Sequence, residues 1–343
     1  MNSKEEKLLI ELMKGTAKEE SYKSIDWKQF ILLCYYNKVT YFIQEKLDKK
    51  FVPKEAIEKL RNINRETISF NMLLNNEMLS LSRELEKQKI EFLALKGMAL
   101  NNSIYSENFC RFASDIDLLI KEENYFQIKE ILEKKSYSSA LFGFWNGKLV
   151  HQHYPYLTKK IQQKKIVFEL HKDLFFTHNC FSINQKKIWN DSQKIDSLRI
   201  PCNEDLLIFA VISFVYQHYF TGVFQALIDA KNLSEKIDET KLKQKVIEYN
   251  VTEIIVWFNE LMKEVFGTEI KGIKELEQKA DKKKLDYLRK KNLQWLVAKR
   301  NLTEIKLIKL RNFFFWTKGL KQKLKVLFFA LIVPNWWKIK KQI

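Results

Sequence analysis

Glycine and proline are scarce in this chain of 343 residues, numbering 8 and 4. Sharp turns should therefore be few and long helices should dominate. The four cysteines, Cys34, Cys110, Cys180 and Cys202, lie far apart with no CxxC pair. That spacing argues against a zinc ribbon or a disulfide framework and predicts buried, reduced thiols. No apolar run approaches the roughly 18 residues a spanning helix needs; the longest near the end is Val326 to Val333. A chain that does not cross a membrane is expected. The opening MNSKEEKLLIELMKG has too short and too acidic an apolar stretch for a signal peptide, while Ser3 and Glu6 make a candidate capping box. A cytoplasmic enzyme or binding protein is the expectation.

The hydrophobic fraction of 46% suits a soluble folded protein. The net charge of +18 is uneven, with 21 Lys and Arg against 5 Asp and Glu from Lys271 to Ile343. Any broad contact with an anion is expected in that last fifth. No internal repeat or low-complexity linker is present. Residues 3 to 90 read as helices: Leu8, Leu9, Leu12 and Met13 share a face, and Pro53 can open a long segment ending near Gln88. The period then changes. In KIEFLALKG, Ile90, Phe92 and the Leu93 to Leu95 run suit a short buried strand halted at Gly97, with a helix starting in MALNNSIY.

RFASDIDLLI follows as a strand, and EENYFQIKEILEKKSY has helical spacing through Phe126, Ile131 and Leu132. KLVHQHYPYLT and KKIVFELHKDLF flank a polar turn and predict a β-hairpin. After Pro201 helices return, with Asn203 as the N-cap of a strongly apolar one. The fold class is α+β, mainly helical overall, with a small mixed β-sheet. Three regions are expected: an N-terminal helical region at 1–89, the sheet-bearing core at 90–200 and a C-terminal helical region at 201–343 with a basic amphipathic tail.

Asp115 and Asp117 stand at the mouth of an apolar run. With a side-chain period of two, they share one strand face with Leu119 while Ile116, Leu118 and Ile120 share the other. Two rises of about 3.3 Å allow their carboxylates to converge on a hard divalent cation. Alternatively, Asp115 caps a turn and Asp117 lies at a sheet edge in solvent. Two neighbours favour the metal reading. Lys96 and Gly97 sit between a strand and a helix, where backbone N–H groups hold phosphate oxygens, and Glu169 in IVFELH offers a third carboxylate.

The order LALKGMAL, RFASDIDLLI, VFELHKDL, then EDLLIFAV and LIDA, resembles the bacterial uncharacterised nucleotidyltransferase family within the DNA polymerase beta-like superfamily. The match covers roughly residues 90 to 235. The resemblance implies transfer of a nucleoside monophosphate from a nucleoside triphosphate such as ATP to a hydroxyl acceptor. Asp115, Asp117 and Glu169 would be the catalytic and metal residues, with two Mg²⁺ ions. Lys96, Gly97 and Arg111 would bind nucleotide; Arg111 is equally a candidate surface ion-pair partner. The superfamily's Gly-Ser or Gly-Gly turn is Gly97-Met98 here, so Lys96 would compensate for the missing hydroxyl. A rival reading is a toxin-type enzyme whose acceptor is tRNA or a protein. Another is a catalytically silent binding or membrane-docking module of the same fold.

His151 and His153 share a strand face, and with His171 could form a hydrolase metal trio, but no HxHxDH signature accompanies them. His151 and His171 are expected instead to flank a substrate cleft. His218 and Asp229 would share a face only if one helix ran through Thr221-Gly222. Asp229, in LIDA, is expected to face nucleotide or acceptor, or else to cap a helix or make an ion pair. In residues 318–343, Leu320, Leu324, Leu327, Phe328 and Leu331 form one stripe, with lysines elsewhere and Trp336 and Trp337 beyond. This suits an anionic membrane surface, or the stripe packs on preceding helices; RNA contact through Phe313 to Trp316 has no module signature behind it.

Overall fold

The computed structural model describes residues 3–139, 154–175 and 181–298, with positions 304, 307, 308 and 311 beyond them. His151, His153, Cys180 and the tail at 318–343 lie outside the described residues.

The N-terminal region is helical: α1 (Lys4–Lys14), α2 (Trp27–Tyr36), α3 (Thr40–Lys46) and α4 (Lys54–Lys87). The Ser3 capping box is formed, with Glu6 N–H donating to Ser3 Oγ and Ser3 N–H to Glu6 Oε2, each at 3.2 Å. Leu8, Leu9, Leu12 and Met13 are buried as the expected face. The 34 residues of α4 start directly after Pro53, where a missing N–H costs nothing.

Two strands flank the first helix of the core, β1 (Phe92–Ala94), α5 (Lys96–Ser103) and β2 (Ile116–Ile120), and α6 (Tyr125–Lys134) follows. Phe126 is not on the buried face of α6: it is 78% exposed, and Tyr125, Ile128, Ile131 and Leu132 make the packed stripe instead. Strands β3 (Ser138–Ser139), β4 (Leu157–Ile161) and β5 (Lys164–His171) complete a five-stranded mixed sheet of order β1-β2-β5-β4-β3. The expected hairpin is β4–β5, paired antiparallel through a two-residue turn with Gln162 at φ +54°.

The rest comprises α7 (Gln185–Asp191), a small hairpin of β6 (Gln193–Ile195) and β7 (Leu198–Ile200), then α8 (Asn203–Ile212), α9 (Val223–Ser234), α10 (Glu239–Glu248), α11 (Thr252–Phe266), α12 (Lys282–Arg289) and α13 (Leu293–Val297). Asn203 is the first residue of α8 and Cys202 the N-cap, one position earlier than expected. The helix does not run on to Asp229. A π-helical turn at Ser213–Gln217 ends it, and Gly222 at φ +74° opens α9. Among the described residues, no helix is long and apolar enough to cross a membrane. One buried apolar cluster runs from Leu8 of α1 through β2 and β5 to Leu293 of α13.

Candidate functional site

Strands β2 and β5 run parallel, with Asp117 opposite Glu169 and Leu119 opposite His171. Register partners in a sheet point to the same side, so the two carboxylates share a face. Ile116 and Leu118, facing away, pack with Phe168 and Leu170 in the core. That alternation fixes the side on which the acids stand, since a one-residue slip would bury them among the apolar set. Asp115 lies just before β2, partly buried, and accepts from Ser114 Oγ at 3.1 Å.

Asp117 is 2% exposed and lies between two cationic or polar donors. Lys96 Nζ and His171 Nε2 each reach its Oδ1 at 2.7 Å. Burial opposes ionisation of Asp117, yet the Lys96 ammonium and His171 hold its carboxyl well below the usual range. An ionised carboxylate only accepts, so His171 Nε2 carries the donated proton. His171 Nε2 is also 3.7 Å from Glu169 Oε2. Burial disfavours the Lys96 charge too, but Asp117, Glu169 and Asp115 together hold that ammonium firmly protonated. Three acids therefore act on one lysine.

One ligand atom from each of Asp117, Glu169 and His171 lies within 4.8 Å of the others. Two of these are carboxylate oxygens, a donor set that fits a hard divalent cation. Against the expected set, His171 stands in this group and Asp115 borders it. His171, expected at a substrate cleft, rests against Asp117.

Lys96 begins α5 in the left-handed region, φ +47°. A Cβ on Gly97 would lie 2.8 Å from the Ala113 Cβ and 3.1 Å from Arg111 Nη1. Only glycine lets the 111–113 loop approach that closely. Met98, the residue in place of a hydroxyl, is fully buried and faces the core. The loop is pinned further by Asn71 and Asn101, whose side-chain amides donate to Arg111 O at 2.8 and 2.9 Å.

Arg111 and Asp229 come together. The guanidinium grips the Asp229 carboxylate through Nε at 2.9 and 3.0 Å and through Nη2 at 2.8 Å, and Tyr105 OH donates to the same group at 2.9 Å. Arg111 Nη1 donates to Phe112 O at 3.2 Å. This buried pair ties α9 to the loop that carries Asp115. The helix break leaves His218 on the turn before α9, where burial and then the fields of Lys38, Lys96 and Arg111 hold its imidazole neutral.

Lys38, at the turn between α2 and α3, also belongs to these surroundings: its field neighbours are Arg111, Asp115, Asp229 and Lys96. Sequence reasoning did not reach it, because a lone lysine in a helical stretch carries no spacing signal. A family model described as an uncharacterised nucleotidyltransferase matches residues 23–267. No curated protein matches the chain.

Proposed function

Because the chain belongs to this uncharacterised nucleotidyltransferase family, we propose that it moves a nucleoside monophosphate from a nucleoside triphosphate to a hydroxyl acceptor, with two Mg²⁺ ions as cofactor. ATP is the first donor to try. The observation that carries the reading is the register pairing of Asp117 with Glu169 beside the Lys96 ammonium. Asp115, Asp117 and Glu169 would hold the metal. Magnesium there neutralises triphosphate charge and makes the acceptor hydroxyl more acidic.

The protein's own groups do the rest. Asp117 is kept ionised by Lys96 and His171, so a full negative charge is ready at neutral pH. His171 positions that carboxylate by its 2.7 Å hydrogen bond. Lys96 and the Gly97 N–H, in the first turn of α5 where backbone donors lack helical partners, bind phosphate oxygens. Arg111, with its fork committed to Asp229, holds in place the loop that carries Asp115. Glu169 receives the proton of the attacking hydroxyl as a general base. The acceptor class is a small molecule, a polymer, tRNA or a protein. Residues 318–343 are assigned to an anionic membrane surface, and equal liposome flotation of the full chain and a chain cut before residue 318 would discard that part.

The test is direct. Purified protein is incubated with Mg²⁺, each labelled triphosphate in turn and a cell extract. A labelled product that requires both protein and Mg²⁺ is expected. No label from any of the triphosphates would overturn the reading.

A further inference from the structure

The turn that follows α2 is built more firmly than a surface connection requires. Asn37 is fully buried and donates from its side chain to Leu33 O at 3.1 Å and Val297 O at 3.3 Å. Lys38 then adopts φ +58°, and its N–H reaches Tyr35 O at 2.9 Å while Val39 N–H reaches Cys34 O at 3.0 Å. A left-handed lysine is costly and persists only when its surroundings impose it.

That backbone sends the side chain towards the site. The ammonium lies 5.6 Å from the centre of the Phe112 ring, in the loop that carries Arg111 and Asp115. Tyr35 holds that ring edge-on at 5.9 Å. On the other side lies the turn before α9, where Tyr219 and Phe220 also have positive φ. Gly222, whose φ of +74° favours glycine, lies beside the lysine stem: a Cβ there would sit in ordinary contact with Lys38 Cδ, at 3.8 Å.

The charges around it are already matched. Lys96 is paired with Asp117, and Arg111 with Asp229. Among the described residues, the Lys38 ammonium has the Phe112 ring but no hydrogen bond or ion pair. Burial and the Arg111 charge press its pKa down to about 8, against partial support from Asp115 and Asp229. A cation held there at cost lacks one anionic partner.

We propose that Lys38 is a phosphate-binding residue of this site, contributed by the N-terminal helical region and engaging the terminal phosphates of the nucleoside triphosphate. The assignment rests on the nucleotidyl-transfer reading for the identity of that anion. It makes α2 and α3 part of the active centre: the lysine enters beside the Arg111–Asp229 pair, separately from the Lys96–Gly97 turn.

The experiment is calorimetric titration of the full chain with inorganic tripolyphosphate, with and without Mg²⁺. Lys38→Met keeps the stem and removes the charge. It should weaken tripolyphosphate by roughly tenfold or more, the ordinary worth of a charge-assisted hydrogen bond. Lys38→Arg should recover most of that loss, and Lys50→Met, an exposed lysine elsewhere, should change nothing. Unchanged thermal unfolding of Lys38→Met excludes a folding defect as the cause. Affinity within about twofold of wild type in Lys38→Met overturns the proposal, as does equal weakening in Lys50→Met. These outcomes are read from binding alone. Failure of the transfer assay with the wild-type chain is thus a separate result, striking the reading beneath it.

Discussion

Lys96 and Lys245 each lodge among acidic side chains, yet one cluster is open and the other is closed. Lys245, on α10, is 1% exposed and donates to Asp191 Oδ2 at 2.6 Å, Asp205 Oδ2 at 2.9 Å and Tyr249 OH at 3.3 Å. An ammonium has three protons, and all three are used. Tyr249 OH and Cys202 Sγ satisfy Asp205 further, at 2.9 and 3.1 Å. Lys96 has a side chain 26% exposed, and among the described residues its ammonium donates to Asp117 Oδ1 alone. One ligand atom from each of Asp191, Cys202 and Asp205 also lies within 4.8 Å of the others. There the lysine already fills the position and every donor is spent. Proximity of acids therefore does not distinguish a working site from a structural knot; spare donors and surplus negative charge do.

Asp117→Asn should break the comparison most forcefully. It removes a charge with almost no change in volume, so nucleotidyl transfer should fall by roughly a thousandfold or more while circular dichroism stays native. Asp205→Asn should do the reverse, weakening urea stability with little change in activity per folded molecule. Near wild-type transfer in Asp117→Asn would remove the metal assignment. Next in size is Lys245→Met, which leaves Asp205 buried against Tyr249 without its cation. Breaking a buried pair in this way costs about 3 to 5 kcal/mol, read as a lower urea midpoint at unchanged slope. A loss under about 1 kcal/mol would mean the closed cluster is not a stability element.

Much of the open cluster was legible because strand periodicity is a strong signal. Asp115 and Asp117 at a spacing of two, with Ile116, Leu118 and Ile120 at the alternate positions, led to one charged face; Asp115 proves to lie just before β2, and Glu169 in IVFELH lies on the adjacent parallel strand. The Lys-Gly turn after a short strand was legible for the same reason. What was missed lacks periodicity. The β6–β7 hairpin is two three-residue strands joined at Asp196-Ser197, with Asp196 at φ +51°, and Asp-Ser is a weak hairpin signal. Gly222 marked the break between α8 and α9, but not the π-helical turn inside an apolar run that ends α8, which hydrophobic spacing cannot signal. Lys38 reaches the site through tertiary packing of α2 on the rest, a link that no local pattern encodes.

Magnesium sharpens the contrast at a smaller scale. A ligand that binds only the folded state adds RT ln(1 + [L]/Kd), about 1.4 kcal/mol at ten times Kd. Wild type and Asp205→Asn should both gain thermal stability as Mg²⁺ is raised, because the closed cluster has no place for an ion. Asp117→Asn should gain little. An equal rise in Asp117→Asn would locate the binding elsewhere.

The smallest effect concerns His218, which borders the open cluster and is kept neutral by burial and by the charges of Lys38, Lys96 and Arg111. Its folded pKa is depressed below the ordinary value of about 6.5. Above that value the imidazole is neutral in both states and costs nothing. Below it the unfolded chain takes up a proton that the folded chain refuses, so stability declines as pH falls. Between pH 8 and pH 6 the loss from this residue is at most about 0.8 kcal/mol. His218→Gln should flatten that part of the stability profile in urea titrations without altering the plateau slope above pH 7. A profile identical to wild type would mean that the imidazole titrates normally, and that the acids of the open cluster already balance the charges of Lys38, Lys96 and Arg111 at the turn before α9.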